Sequence, residues 1–87
     1  MGSTDATPQP GDFKRAGALI AGWATRDLHG VHAAIQDARQ VGRSFHLIAA
    51  LAETCTRALD VRDNPDRLEA LRRDIAKYAE KENPTND

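Results

Sequence analysis

Apolar residues recur every three or four positions in four stretches of the chain between residues 12 and 82. No segment alternates between apolar and polar residues as a half-buried strand does, so the pattern predicts helices throughout. We therefore expect an all-α protein with a small four-helix domain (helical bundle) over residues 12–82. Residues 1–11 and 83–87 combine prolines with small polar residues and contain no large apolar residue after Met1, which predicts a disordered N-terminal arm and a disordered C-terminal tail.

The first two predicted helices have local start and stop signals. Asp12 is the expected N-cap of the first helix, which should end near Arg26 and Asp27. One face of this helix carries Phe13, Ala16, Gly17, Ile20, Trp23 and Ala24. The apolar row of the second helix is Leu28, Val31, Ile35 and Ala38. The second helix should stop just before Gly42, because glycine readily adopts the left-handed backbone geometry that ends many helices.

The third predicted helix has two apolar stripes and begins with Ser44 as its expected N-cap. The first stripe is Phe45, Ile48, Ala52, Cys55 and Leu59. The second stripe is Leu47, Leu51, Ala58 and Val61. Two stripes indicate a helix that is contacted from more than one side, so we place this helix at the centre of the domain, with Cys55 buried as a small apolar residue.

The fourth predicted helix has the strongest start signal in the sequence. Asn64, Pro65 and Asp66 supply a cap, a proline at the first helical position and an acid in the first turn. Its buried seam should be formed, at near-heptad spacing, by Leu68, Leu71, Ile75 and Tyr78. The remaining surface is charged, and spacing favours ion pairs such as Asp74 with Lys77 and Glu69 with Arg73. We interpret this outer face as solvated, with a coiled-coil partner surface as the alternative.

Small residues in the first helix indicate a close helix crossing. Glycine in an exposed helix interior costs up to about 1 kcal/mol relative to alanine, so its presence there suggests a packing reason. Gly17 with Ala21, and Ala18 with Gly22, stand four residues apart and would form a flat surface. We expect the alanine-rich third helix to cross this surface.

The composition predicts a thin core that needs further support. Hydrophobic residues make up 40% of the 87 residues, but 15 of the residues are alanine. A domain this small gains only about 3–5 kcal/mol from its core unless something staples it. Cys55 is the single cysteine, which excludes an intramolecular disulfide and is typical of a reducing compartment. We expect a cytoplasmic chain with no membrane segment, stabilised by a partner chain.

The residue pattern gives no sign of catalytic chemistry. His29 and His32 stand three apart, but no acidic or cysteine ligand accompanies them at a diagnostic spacing, so we expect no metal site. Ser44 and His46 lack an orienting acid and do not form a nucleophile and base pair. Glycine-rich phosphate loops are also missing. We therefore expect no enzyme activity, no catalytic residue and no cofactor.

DNA binding is the alternative function that the sequence supports in part. Residues 34–51 can be aligned with a helix-turn-helix template, with Arg39, Arg43 and His46 as candidate nucleic-acid contacts. The positions that would face the major groove are instead poor in the side chains that read bases. The net charge is -1, whereas nucleic-acid binders usually carry a basic surface.

The remaining features favour a non-enzymatic helical protein-interaction or regulatory module, with self-association as one form of the interaction. Trp23 is the only tryptophan, and tryptophan is enriched at binding hot spots. We expect the partner surface to comprise Phe13, Ile20, Trp23, Phe45 and Leu47. The abundance of alanine and arginine is typical of a GC-rich bacterial or phage genome.

Overall fold

A computed structural model describes residues 5–82 of the chain, which form helices with no strand among them. The elements are α1 (Pro10–Ala24), α2 (Leu28–Gln40), α3 (Ser44–Leu59) and α4 (Pro65–Glu82). The predicted all-α class with four helices is confirmed. Backbone contacts divide the chain into two compact units, Met1–Cys55 and Thr56–Asp87. Within the described range, no helix combines the length and the apolar character needed to span a membrane.

Helix α1 begins three residues earlier than an N-cap at Asp12 predicts. Pro10 is its first residue, where the missing N–H of proline costs nothing, and Gln9 takes the N-cap position. Asp12 is therefore not the N-cap but the third helical residue, and its Oδ2 accepts from the backbone N–H of Gln9 at 2.8 Å. Of the predicted N-terminal arm, residues 1–4 lie outside the described residues, and Pro10 and Gly11 are helical. The predicted C-terminal tail also lies outside them.

Two of the three predicted stop and cap signals, Gly42 and Asn64, are confirmed. Gly42 has a φ of 72° and follows the end of α2 as predicted. Asn64 caps α4, where its Oδ1 accepts from the Arg67 N–H at 3.3 Å. Ser44, by contrast, is the first residue of α3 and not its cap, because the carbonyl of Arg43 accepts the first helical hydrogen bond from the Leu47 N–H at 2.9 Å.

Alanine forms most of the core of the first unit. Its buried cluster consists of Ala16, Ala38, Leu47 and Ala50. Three partly buried side chains pack against this cluster: Phe13, Leu19 and Leu51. These residues come from α1, α2 and α3, so the three helices share one small core. Among residues 5–82, Leu47 is the only large apolar side chain that is buried.

The sequence predicted that α3 would cross the small residues of α1 closely, but the helix that does so is α2. Within the first unit, α1 and α2 are the helices whose backbones approach each other most closely. A Cβ added to Gly22 would lie 3.1 Å from the carbonyl oxygen of Asp27 and 3.1 Å from the nitrogen of Val31. A Cβ added to Gly17 would meet nothing within 4 Å. Gly22 is therefore required by packing, and Gly17 is not.

The second unit consists of the end of α3, the connection and α4, and it buries little. No residue of α4 is buried. Leu68 and Leu71 are half-buried, but Ile75 and Tyr78 are 60% and 64% exposed, so half of the predicted seam is not covered within the described chain. A shallow cavity of about 210 Å³ near the start of the helix is lined by Leu59, Val61, Arg67, Ala70, Leu71 and Asp74.

Substitution of the two glycines of α1 by alanine should have opposite effects on stability. Gly17→Ala adds a methyl group in open space and raises helix propensity, so we expect it to stabilise the fold by about 0.4–1 kcal/mol. The methyl group of Gly22→Ala would crowd backbone atoms of Asp27 and Val31 and push them away from α1, so we expect the substitution to destabilise the fold by about 1–3 kcal/mol. Urea denaturation followed by circular dichroism measures both. Equal effects of the two substitutions would contradict the close approach at Gly22.

Candidate functional site

The structure separates the five residues expected to bind a partner. Trp23 and Phe45 are 69% and 55% exposed, and Ile20 is 38% exposed. Leu47 is only 4% exposed, because it fills the centre of the alanine core. Phe13 is half-buried against the same core. Ile20, Trp23 and Phe45 are therefore accessible to a partner, whereas Leu47 and Phe13 contribute to the core.

Trp23 lies at the open end of a row of residues that is otherwise covered. Asp12, Ala16, Leu19 and Trp23 are spaced four, three and four apart and share one face of α1. Along this row the side chains change from fully buried at Asp12 and Ala16, through half-buried at Leu19, to exposed at Trp23. The core of the first unit thus ends before it reaches Trp23, which leaves an indole on its open edge.

A second apolar patch lies on α3. Phe45, Ile48, Ala52 and Cys55 are all exposed, although they are the four members of the predicted first stripe that lie in the first unit, and two apolar stripes indicated a helix covered on more than one side. The expected burial of Cys55 is wrong for the same reason. Helical periodicity finds this stripe but does not reveal whether anything covers it, and Ile48 was therefore missed as a candidate contact residue although it is 61% exposed. We call these four residues the α3 stripe.

A buried carboxylate organises the opposite end of the first unit. The side chain of Asp12 is fully buried. Arg43 donates to it in a bidentate arrangement, from Nε to Oδ1 at 2.9 Å and from Nη2 to Oδ2 at 2.7 Å. Parallel hydrogen bonds between a guanidinium and a carboxylate are among the stronger polar interactions in proteins. The pair connects the first turn of α1 to the residue that precedes α3.

Further polar contacts extend from this ion pair. Arg15 places Nη1 3.4 Å from Oδ1 of Asp12 and donates from Nε to Oδ2 of Asp37 at 2.6 Å, which connects α1 to α2. Nε2 of His46 lies 2.8 Å from the carbonyl oxygen of Asp5, the geometry of an Nε2–H donor. Nδ1 of His46 is buried and has no hydrogen-bond partner among the described residues. All three helices of the unit are therefore tied together at this end.

Electrostatics within the cluster stabilise the charged forms. The hydrogen bonds from Arg43 hold the pKa of Asp12 well below its ordinary value of 3.8, against the opposing effect of burial. The same contact raises the pKa of Arg43. Hydrogen bonding by Thr7 lowers the pKa of Asp5.

This cluster changes the interpretation of the three candidate nucleic-acid contacts. Both Arg43 and His46 are engaged by groups of the chain itself, Arg43 by Asp12 and His46 by the backbone of Asp5. Arg39 is exposed and donates from Nη1 to Oε1 of Gln36 at 3.0 Å. The geometry favours a structural role for Arg43 and His46 over contact with phosphates.

The residues considered for metal binding and catalysis do not assemble into a site in the described chain. His29 and His32 are both exposed on α2. Between residues 5 and 82, no three histidine, cysteine or acidic side chains lie close enough together to hold a metal ion. Ser44 and His46 lie at the start of α3, where the ring of His46 contacts that of Phe45 edge-on at 5.9 Å between centroids.

The Asp12 cluster predicts a characteristic loss of stability in acid. A carboxyl group whose pKa is lower in the folded state stabilises the fold above its unfolded pKa, and this contribution is lost as the pH falls below that value towards the folded pKa. The melting temperature should therefore decrease as the pH falls below about 3.8, the ordinary pKa of the Asp12 carboxyl. Asp12→Asn should melt at a lower temperature than the wild type at pH 7 and should show a shallower decrease in acid. Differential scanning calorimetry from pH 7 to pH 2 measures both effects.

Two further variants separate the ion pair from general effects of charge. Arg43→Lys keeps the charge but loses the bidentate geometry, so we expect it to lower the melting temperature at pH 7. Glu69→Gln removes an exposed carboxylate of α4 and should keep the acid dependence of the wild type. A wild-type acid profile in Asp12→Asn would show that the buried carboxylate does not control acid stability.

Comparison with known proteins gives no relative from which a function could be inferred, so the functional proposal rests on the geometry of the chain itself. No protein-family model, curated protein or solved structure matches the sequence or the fold. The two features that distinguish the first unit are the exposed apolar residues of α1 and α3 and the buried polar cluster that fixes the helices carrying them.

Proposed function

We propose that the chain is a non-enzymatic protein-interaction or regulatory module that binds a protein partner through the exposed apolar residues of its first unit. The observation that carries the proposal is the distribution of large apolar side chains. In the part of the chain that the structure describes, Leu47 is the only large apolar side chain in the buried core, whereas many others are exposed. Large exposed apolar side chains that are clustered on a surface commonly mark interaction sites in soluble proteins.

Two patches of the first unit are suited to such a partner. Ile20 and Trp23 form the α1 patch, at the open edge of the core. The α3 stripe presents Phe45, Ile48, Ala52 and Cys55 at the three- and four-residue spacing that an apolar helix of a partner can pack against. The two patches supply two aromatic side chains, Trp23 and Phe45, of the kind that is enriched at the centre of protein interfaces.

The polar cluster supports the same proposal because it holds the patches in place. Arg43 directly precedes α3, so its two hydrogen bonds to Asp12 fix the start of the helix that carries Phe45 and Ile48. A surface whose side chains are held before binding loses less conformational entropy on association. The cluster thus acts on recognition without contacting the partner.

Substitutions of Trp23 and Ile48 test the two patches separately. The tagged chain is used to capture proteins from the cells that produce it, and the captured protein is then purified for calorimetric titration. Trp23→Ser or Ile48→Ser should raise the dissociation constant by about 30-fold or more if the residue is a hot spot worth at least 2 kcal/mol. Gln40→Ser, a substitution of an exposed polar residue on α2, should bind as the wild type does.

The chain provides its own probe of folding and binding in this experiment. Trp23 is the only tryptophan, so burial by the partner should shift its fluorescence emission to shorter wavelength. Because Trp23 and Ile48 are exposed, both variants should keep the circular dichroism of the wild type. Equal capture by the wild type and both patch variants would reject the proposed surface. Retardation of duplex DNA at low salt, lost as the salt is raised, would favour the DNA-binding alternative instead.

A further inference from the structure

Helix α4 presents an apolar row that the described chain leaves largely open. Ile75 and Tyr78 are 60% and 64% exposed, and no residue of the helix is buried. A shallow groove runs beside them, lined by Leu71, Asp74, Ile75, Tyr78, Ala79 and Glu82. This row lies in the second unit and shares no residue with the two patches of the first.

The spacing of this row is that of a coiled-coil seam. Leu68, Leu71, Ile75 and Tyr78 follow one another at intervals of three, four and three residues, the alternation by which apolar residues meet along two supercoiled helices. Leu68 and Leu71 are half-buried within the chain, whereas Ile75 and Tyr78 are exposed. The open part of the seam is therefore its C-terminal half, from Ile75 onward.

The charges beside the seam indicate which helix fits it. Asp74 and Lys81 stand seven residues apart and flank the seam on the same edge. If Ile75 packs against Tyr78 of an antiparallel second copy, Asp74 faces Lys81 of that copy. By symmetry, Lys81 then faces Asp74 of the second copy. One register thus gives two layers of Ile75 with Tyr78 and two opposite-charge pairs.

Other arrangements of the same two helices place like charges together. An antiparallel register centred on Asp74 would bring the two Asp74 side chains into proximity. A parallel pair would bring Arg67 next to Arg72 of the other copy, because flanking residues five positions apart meet across a parallel seam. Charge complementarity therefore favours the antiparallel register centred between Ile75 and Tyr78.

Both flanking groups are available for these pairs. Asp74 forms no ion pair within the described chain, and the Asp74–Lys77 pair expected from spacing is absent there. The Nζ of Lys81 lies 5.7 Å from the centroid of the Tyr78 ring, which holds the ammonium group beside the seam. A second copy can therefore bind without breaking an ion pair of Asp74 or moving Lys81 out of a protein core.

We propose that α4 mediates homodimerisation by packing antiparallel against α4 of a second copy, with Ile75 opposite Tyr78 and Asp74 paired with Lys81 in both directions. The residues that form this dimer all belong to the second unit, and none of them is part of the α1 patch or the α3 stripe.

Charge reversal and charge exchange in the full-length chain test the proposal. Asp74→Lys and Lys81→Asp each convert two attractive pairs into two repulsive pairs, so each should raise the dimer dissociation constant by roughly tenfold in sedimentation equilibrium at low salt. The double variant with both changes restores opposite charges in both pairs and should dimerise within about twofold of the wild type. Ile75→Ser should weaken the dimer more than either single charge reversal does.

Control variants distinguish the loss of this dimer from a loss of folding and from dimerisation through another surface. Lys77→Asp makes the same charge change as Lys81→Asp at a position off the seam, and it should leave the dimer unchanged. Circular dichroism of each variant checks that α4 remains helical. Trp23→Ser should not change the mass in solution, and Asp74→Lys should not change binding of a partner to the first unit, so this inference and the proposed function can fail independently.

A wild-type chain that stays monomeric over the accessible concentration range would overturn the proposal and leave the seam to a different protein. A dimer that is insensitive to the single reversals, or one that the double variant does not restore, would also overturn it. A dimer that is lost in Trp23→Ser would place the interface in the first unit instead.

Discussion

The arrangement of the first unit depends on one buried polar contact, the bidentate pair between Asp12 and Arg43. The alanine core behind it contains a single large buried side chain, Leu47, and provides little shape that would fix how three helices meet. A buried ion pair gives limited net stability because both charges lose their hydration. Its directional hydrogen bonds nevertheless penalise any arrangement that leaves the carboxylate unpaired. The pair therefore specifies the geometry that the small core alone does not.

The same shortage of large core residues explains the surface. Small residues allow α1 and α2 to approach until Gly22 meets the backbone of the following turn, and so close a contact leaves no room for large side chains between these helices. Trp23, Phe45 and Ile48 lie outside the core. In α4, Ile75 and Tyr78 are also exposed, and the described chain buries no residue of that helix. Tight packing of small residues and exposure of large ones are two results of one composition.

The sequence predicts features that depend on neighbouring residues and misses those that depend on distant ones. The start of α4 and the stop at Gly42 follow from a cap, a proline and a glycine, whose effects are local. The role of Asp12 was mistaken because its partner, Arg43, lies 31 residues away and no local pattern relates the two. The two stripes of α3 were recognised by periodicity, but periodicity treats Leu47 and Ile48 alike. Only the packed structure shows that the first is buried and the second exposed.

The polar cluster and the exposed α3 stripe are physically connected through the rotation of α3. Arg43 is held by two hydrogen bonds, and its carbonyl accepts the first bond of the helix from Leu47. Fixing Arg43 therefore fixes the direction in which each later side chain points. Leu47 then points into the core, whereas Phe45 and Ile48, displaced around the helix, point away from it. A rotation of α3 by one residue would exchange a buried leucine for an exposed isoleucine at little apolar cost. The ion pair supplies the energetic difference that the similar apolar residues cannot, and in doing so it determines which residues remain available to a partner.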